Sequence, residues 1–410
     1  MNRLRARLIG PSDFLMVLTL FIAFRLLMLV WFSPFSFFTS GYLGHAYYYD
    51  MAKYSDQGQY PFINFWFEYP PIFPYLAILV YKLTALGKES FEYFNRVLTL
   101  AVLPFDILTL TNLYRIARRV YGSATAVRVS WIYALLLLPA YYWWHGPDPI
   151  LVALTLQSLY WLLTRQNVKS AAALALAIAT KFTPVFLLGA ALRFVSGWRQ
   201  AFVYAAIVGG IVSLIFLPFF ILSPTYTIAS FQSLVSVSSW ETIWALIDGN
   251  LTYGNVGLMP RHFDPAMAAV PIYNPSVVPG WLTLLIFGAV FLFVFSRKVD
   301  RANPRQLLAF TGIVLMLFLL WSKGWSPQWA TLVIPIWLLI YPNWRGLLLT
   351  LVLTFVGLLD WPLTLSVHNP ALYVIGVLGR AALFVLVAID LYVELIGCAP
   401  AWNDSARVNG

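Results

Sequence analysis

The sequence predicts an all-α membrane protein. We expect a polytopic bundle of about ten crossings, a half-membrane helical hairpin, and juxtamembrane helices in the first outer loop. Three observations predict it. The chain of 410 residues is 61% hydrophobic and 10% charged, with mean hydropathy +0.77, more apolar surface than a soluble core of this length can hide. Apolar runs long enough to span lipid recur along its whole length. The basic residues gather in the loops between alternate runs, so the net charge of +10 reads as cytoplasmic loops and not as nucleic-acid binding. A single cysteine, Cys398, rules out an internal disulfide and a cysteine-based metal site.

The elements follow in order. The basic start resembles a signal peptide, but Phe14–Phe32 is long enough to span and no small-residue cleavage site follows. It is read as an uncleaved first helix with a cytoplasmic N-terminus. Residues 33–96 form a first outer loop rich in acids and aromatics, and Ile72–Leu86 within it is apolar, short and proline-led. Further runs are Val97–Ile116, Ala124–Tyr142, Ile150–Leu163, Ala171–Phe194 (interrupted by "TKFTP") and Ala201–Leu222. A long polar outer loop, 223–277, comes next. Val278–Phe295, Leu307–Leu320, Trp329–Ile340, Gly346–Leu359 and Leu372–Leu395 complete one membrane domain over residues 1–410. No internal repeat and no low-complexity segment is visible.

Two segments decide the sidedness of the rest. If Ile72–Leu86 lies along the surface and Ala171–Phe194 is a hairpin with Lys181 near its tip, the basic loops around Arg118, Arg165, Arg193, Arg301 and Arg345 all fall inside. Only Lys53, Lys82, Lys88, Arg96, Arg261 and Lys323 then lie outside. If Ile72–Leu86 crosses, most basic loops move outside, against the positive-inside rule. The preferred reading puts both termini in the cytoplasm. It also puts His45, His145, His262 and His368 on the outer face, with Asp50, Asp56, Glu68, Asp148, Glu241 and Asp264.

Five places carry candidate chemistry. Asp50 follows Tyr47, Tyr48 and Tyr49, and Glu68 and Tyr69 bring the chain back to the membrane. The residues fit an interfacial aromatic belt, or a cavity where a carboxylate works beside rings that suit sugar faces. A carboxylate among rings has a raised pKa, which suits general-base work. Lys181 lies in an apolar run broken by Pro184, and either snorkels or faces a lipid phosphate. In "WSKGWSPQWA", Lys323 and Gln328 form an ordinary turn or, with the amides of the next helix, an anion site. In the long outer loop Glu241 and Asp264 suit hydroxyls, and Arg261 and His262 suit phosphate or sugar. In "WWHGPDPI", His145 and Asp148 are candidate substrate contacts, although Asp148 also suits a helix N-cap. Arg25, Asp106 and Arg380 are intramembrane charges that pair in the bundle or meet lipid phosphate. No P-loop, HExxH or G-x-S-x-G is present.

An acid in the first outer loop, then Gly58-Gln59-Tyr60-Pro61, then Glu68-Tyr69-Pro70-Pro71, resembles the C-type superfamily of membrane glycosyltransferases. "KFTPVFLL" from Lys181 and "KGWSPQW" from Lys323 are similar to elements of its polyprenol-phosphate-sugar branch (family 87-like), which includes bacterial mannosyltransferases. The resemblance runs in order from residue 14 to about 341. It implies a polytopic helical fold in the bacterial plasma membrane, with its active site at the outer surface. The implied partners are a polyprenyl-phosphate sugar donor, a glycolipid or glycan acceptor and membrane lipids. Asp50 is the implied catalytic base, and Lys181 and Lys323 the implied phosphate contacts. The first loop lacks the D-x-D of some relatives, so no cofactor and no metal dependence are expected. A single displacement from the lipid phosphate, with inversion at the anomeric carbon, needs one base and not a carboxylate pair. The competing expectation is a transporter or flippase of a lipid-linked sugar, which favours inverted repeats and midplane polar sites.

Overall fold

In lipid, every backbone N–H and C=O must find its partner within the chain, so apolar runs become helices. The computed structural model describes residues 11–31, 45–87, 89–143, 146–254, 257–359 and 369–397. It is all-helical there, with two isolated β-bridges, Pro61 to Phe65 and Trp240 to Gly324. Among the described residues, five helices are long and apolar enough to cross a membrane. They are α1 (Pro11–Trp31), α4 (Phe91–Tyr121), α10 (Gly197–Leu222), α15 (Pro304–Trp321) and α18 (Pro370–Leu395). Between them come α2 (His45–Lys53), α3 (Ile72–Ala85), α5 (Ser123–Leu135), α6 (Leu137–Tyr142), α7 (Asp148–Leu163), α8 (Asn167–Thr180) and α9 (Leu187–Phe194). The rest are α11 (Pro224–Ser236), α12 (Ile243–Asp248), the single turn α13 (Met259–His262), α14 (Gly280–Phe295), α16 (Ala330–Ile340) and α17 (Trp344–Leu358).

The two ends of the bundle differ chemically. At one end Arg165 donates to the carbonyls of Phe194 (3.3 Å) and Arg301 (2.6 Å), and Arg193 donates to that of Arg297 (2.7 Å). Arg345 pairs with Asp390 at 2.9 Å among the turns that close the same end. The opposite end carries Asp56, Glu68, Asp148, Glu241 and Asp264. The contact of Arg165 with Phe194 brings the entry and exit of the 167–194 segment together, so this segment is a hairpin, as its basic flanks predict. Its 14-residue first arm rises about 21 Å, close to the height of the 16-residue α7 beside it. The tip therefore reaches the level of Asp148.

Helix α3 stays at the acidic end. Near its start Tyr75 donates to the Pro61 carbonyl (3.1 Å), and near its finish Tyr81 and Lys82 both bond Asp56 (2.5 and 2.6 Å). Both ends are thus tied to the 45–61 segment. Where the sequence predicts one helix over Ala124–Tyr142, the chain breaks at Leu136, which is extended and separates α5 from α6. Arg25 and Asp106 pair with each other at 2.8 Å, and Arg25 also lies 4.4 Å from the Phe21 ring centre. This pair joins α1 to α4 inside the bundle.

The first loop and the long polar loop are stitched into one cap. Trp66 N–H donates to the His262 carbonyl (3.1 Å), its indole donates to that of Asp264 (3.1 Å), and Phe67 N–H donates to the Ser230 hydroxyl (2.9 Å). Thr227 reaches the carbonyl of Phe62 (3.3 Å). Under this cap lies an aromatic core that includes Tyr48, Phe62, Phe65, Phe67, Phe73 and Phe94.

Candidate active site

Lys181 sits where α8 ends. Its backbone is extended (φ −158°, ψ 138°), and Pro184 leads the 3-10 turn Thr183–Phe186 that follows, so the helix cannot continue. The break turns the side chain into the bundle, where it is buried instead of snorkelling to water. Its ammonium donates to both carboxylate oxygens of Asp148, at 2.9 and 3.2 Å. Asp148 is the first residue of α7 and is buried; the N-cap position belongs to Pro147 and carries no side-chain cap. The carboxylate is the partner of Lys181, and the N-cap alternative for Asp148 does not hold.

Aromatic rings enclose the pair. The Lys181 ammonium lies 5.2 Å from the Trp329 ring centre and 5.9 Å from that of Tyr69, both within cation–π reach. Trp329 closes the 3-10 turn Pro327–Trp329 and stacks on Phe318, which stacks on Phe186 just after the lysine. Beside Tyr69, Glu68 is half-buried and accepts a hydrogen bond from the Tyr47 hydroxyl at 2.8 Å. Burial pushes the Glu68 carboxyl up to about 7, against the opposing pull of that hydrogen bond. Burial and the nearby Glu68 charge raise the Tyr47 phenol well above its ordinary range, so it remains a donor. The Tyr48 ring borders Tyr69 and meets Phe73 edge-on at 4.6 Å.

Asp50 lies on α2, half-buried, one turn beyond Tyr47 and one turn before Tyr54. Residues three and four apart share a helix face, so Asp50 lies on the face whose Tyr47 holds Glu68 and whose Tyr54 packs on Phe263. His262 reaches the same neighbourhood. It stacks on Trp66 with ring centres 3.8 Å apart, and its Nδ1 lies 3.0 Å from the Trp66 carbonyl. His45 bonds Asn95 at 2.7 Å, and burial lowers it to about 4, so it ties α2 to α4 as a neutral ring.

The other candidates lie elsewhere. Lys323 donates its ammonium to the Val278 carbonyl, and the helix beyond begins at Ala330, so the 3-10 turn separates the lysine from the amides of that helix. Gln328 is half-buried in that turn, its carbonyl held by Thr331 at 2.6 Å. Arg261 donates to the carbonyls of Met267 (2.7 Å) and Val270 and braces the cap. Glu241 is buried beside Arg380, whose guanidinium lies 4.8 Å from the Trp325 ring centre. His145 lies outside the described residues, as does His368.

The structure thus brings Glu68, Tyr69, Asp148 and Lys181 together from three separate segments. Sequence reasoning missed Tyr47 and Trp329 as partners. The signal for Trp329 was its place at the end of "KGWSPQW"; for Tyr47 it was the three-residue spacing to Asp50.

Compared with the profiles of known families, the sequence matches none; compared with curated proteins, it likewise matches none. Several solved structures are similar over most of the chain. An oligosaccharyltransferase from Archaeoglobus fulgidus in the apo form is 14% identical, with a TM-score of 0.46 over 93% of this chain and 56% of its own. The archaeal oligosaccharyltransferase AglB from the same organism, in complex with an inhibitory peptide and a dolichol-phosphate, is 15% identical with the same coverage and a TM-score of 0.46. ArnT from Cupriavidus metallidurans in the apo state is 16% identical, with a TM-score of 0.40 over 93% of this chain and 77% of its own. The chain therefore spans a little over half the length of the oligosaccharyltransferases it resembles.

Proposed function

We propose that this protein transfers a hexose, with mannose the first candidate, from a polyprenyl-phosphate donor to a hydroxyl of a glycolipid or glycan acceptor. The observation that carries the reading is the Lys181–Asp148 pair at a broken hairpin tip, walled by Tyr69 and Trp329 and bordered by the Glu68–Tyr47 pair. An ammonium has three N–H donors and Asp148 engages it from one side, so it can also meet an oxygen of the donor phosphate. There it would stabilise the charge that develops as the phosphate leaves. Asp50 is the proposed base, taking the proton from the acceptor oxygen as that oxygen attacks the anomeric carbon, with inversion. Glu68 would hold a sugar hydroxyl beside it. The site lies at the end opposite the arginine-rich loops, and the positive-inside rule makes that the outer face. Nucleotide sugars are not expected there, and a lipid-carried donor meets the need.

A transporter needs a polar path between the two ends. Arg25 and Asp106, deep in the bundle, instead pair with each other across α1 and α4. The test is transfer from radiolabelled polyprenyl-phosphate mannose to a membrane extract by wild type and Asp50→Asn. We expect a folded, inactive variant. Full activity in Asp50→Asn would move the base elsewhere, and a wild type that uses no polyprenyl-phosphate hexose would defeat the reading.

A further inference from the structure

The main chain at Glu241 is clamped from every side. Its φ of +49° is costly for any residue with a Cβ. Its N–H donates to the Tyr373 hydroxyl at 2.7 Å, and its carbonyl accepts from Arg380. The preceding Trp240 is bridged to the Lys323 carbonyl (3.0 Å) and the Trp325 N–H (3.1 Å). The Trp240 indole is wedged against Gly254 and Gly324, where a Cβ would collide with the ring. Thr242, just after, caps α12. So much fixing of a strained residue presents its side chain in one direction.

One oxygen of that side chain is left open. Glu241 is 2% exposed, and its buried Oε2 has no hydrogen-bond partner among the described residues. A buried carboxyl oxygen without a partner requires an explanation, and a ligand supplies one. Its surroundings are aromatic: the Tyr373 hydroxyl holds its N–H, and the neighbouring Arg380 lies 4.8 Å from the Trp325 ring centre. Trp325 in turn meets Trp329 edge-on at 6.0 Å, and Trp329 faces Lys181. One short turn thus carries two tryptophans, one toward the lysine and one toward the arginine.

We propose that Glu241 is a hydroxyl-binding residue of the acceptor site, holding a ring hydroxyl of the acceptor sugar near Trp325, on the turn whose Trp329 faces Lys181. This rests on the transferase reading above. If the donor phosphate occupies the Lys181 side, the sugar that receives the transfer extends along the turn toward Trp325. Burial holds the Glu241 carboxyl up at about 8, despite the Arg380 charge, so at neutral pH it can donate as well as accept.

The test uses the full-length purified protein in detergent. Tryptophan fluorescence is titrated with octyl α-mannoside, octyl α-glucoside and octyl β-galactoside as acceptor probes, and with polyprenyl phosphate as the donor-side probe. Glu241→Met removes hydrogen bonding at similar length, and Glu241→Gln restores part of it. We expect Glu241→Met to raise Kd and KM for the best octyl glycoside roughly tenfold or more. Kd for polyprenyl phosphate and the melting temperature should stay at wild-type values, and Glu241→Gln should recover part of the loss. Wild-type acceptor affinity in Glu241→Met overturns the proposal, as does weakening of both probes together with a lowered melting temperature. Failure of wild type to bind any octyl glycoside while still binding polyprenyl phosphate overturns it too. Failure of the transferase reading shows up separately, as a wild type that consumes no polyprenyl-phosphate hexose.

Discussion

Two buried ion pairs of nearly equal length sit in this molecule, and they differ in everything else. Arg25 and Asp106 are 2.8 Å apart and join two long continuous helices. Lys181 and Asp148 are 2.9 Å apart, at a helix break and a helix start. The first pair is covered by Phe21 and Trp143, and Tyr133 approaches Asp106 from the third helix at 3.5 Å. The second is flanked by Tyr69 and Trp329, rings borne on turns, with half-buried Glu68 next in the chain. Burial and distance alone therefore do not separate a structural pair from the one proposed to act on substrate. The local backbone does: continuous helices hold the first, and interrupted ones aim the second.

The largest effect expected from this contrast comes from replacing each pair by apolar residues, which avoids leaving a lone buried charge. Lys181→Met with Asp148→Leu should fold but lose transfer by about 10²–10³-fold, the scale of removing one charge-stabilising donor. Arg25→Met with Asp106→Leu should keep its turnover per folded molecule. Equal activity losses in the two doubles, measured on protein of matched melting temperature, would erase the distinction. Next comes Arg25→Ala alone, which strands Asp106 and should cost about 3–5 kcal/mol of stability, read by thermal unfolding, with kcat of the surviving folded protein unchanged.

A smaller effect concerns pH. If the ionised Glu68 holds substrate, kcat/KM should rise with pH through about 7, and this limb should vanish in Glu68→Gln. The smallest effect is on stability. The native Glu68 pKa of about 7 lies above its ordinary 4.5, so between these values the folded state holds the proton that the unfolded state has lost. Stability attributable to Glu68 is then full below about 4.5 and falls as pH rises toward 7. Glu68→Gln should flatten that part of the melting-temperature profile, while the contribution of Glu241 continues to about 8 in both proteins.

Much is legible in the amino-acid sequence alone. Apolar run length marks the long helices, because lipid forces every backbone group into internal pairing. Pro184 after Lys181 marks the hairpin tip, since proline cannot continue a helix. The concentration of acids on one side follows from where the arginines have to lie. The break at Leu136 is not legible, because nothing in an apolar run of helix-compatible residues announces it.

Which residues meet is a different matter. Lys181 has two open readings in the sequence, and only packing turns it onto Asp148, 33 positions away. Asp148 resembles a helix cap because its local sequence is that of one; the lysine across the bundle competes for its carboxylate and wins. Arg261 and Lys323 look like anion ligands, yet in the folded chain each donates to main-chain carbonyls of the loops. Composition, charge asymmetry and proline placement are local or additive properties, so the chain by itself determined the all-helical membrane fold and the hairpin. Side-chain pairing depends on distances between segments far apart in the chain. For that reason only the tertiary structure decided that Glu68, Tyr69, Asp148, Lys181 and Trp329 share one site.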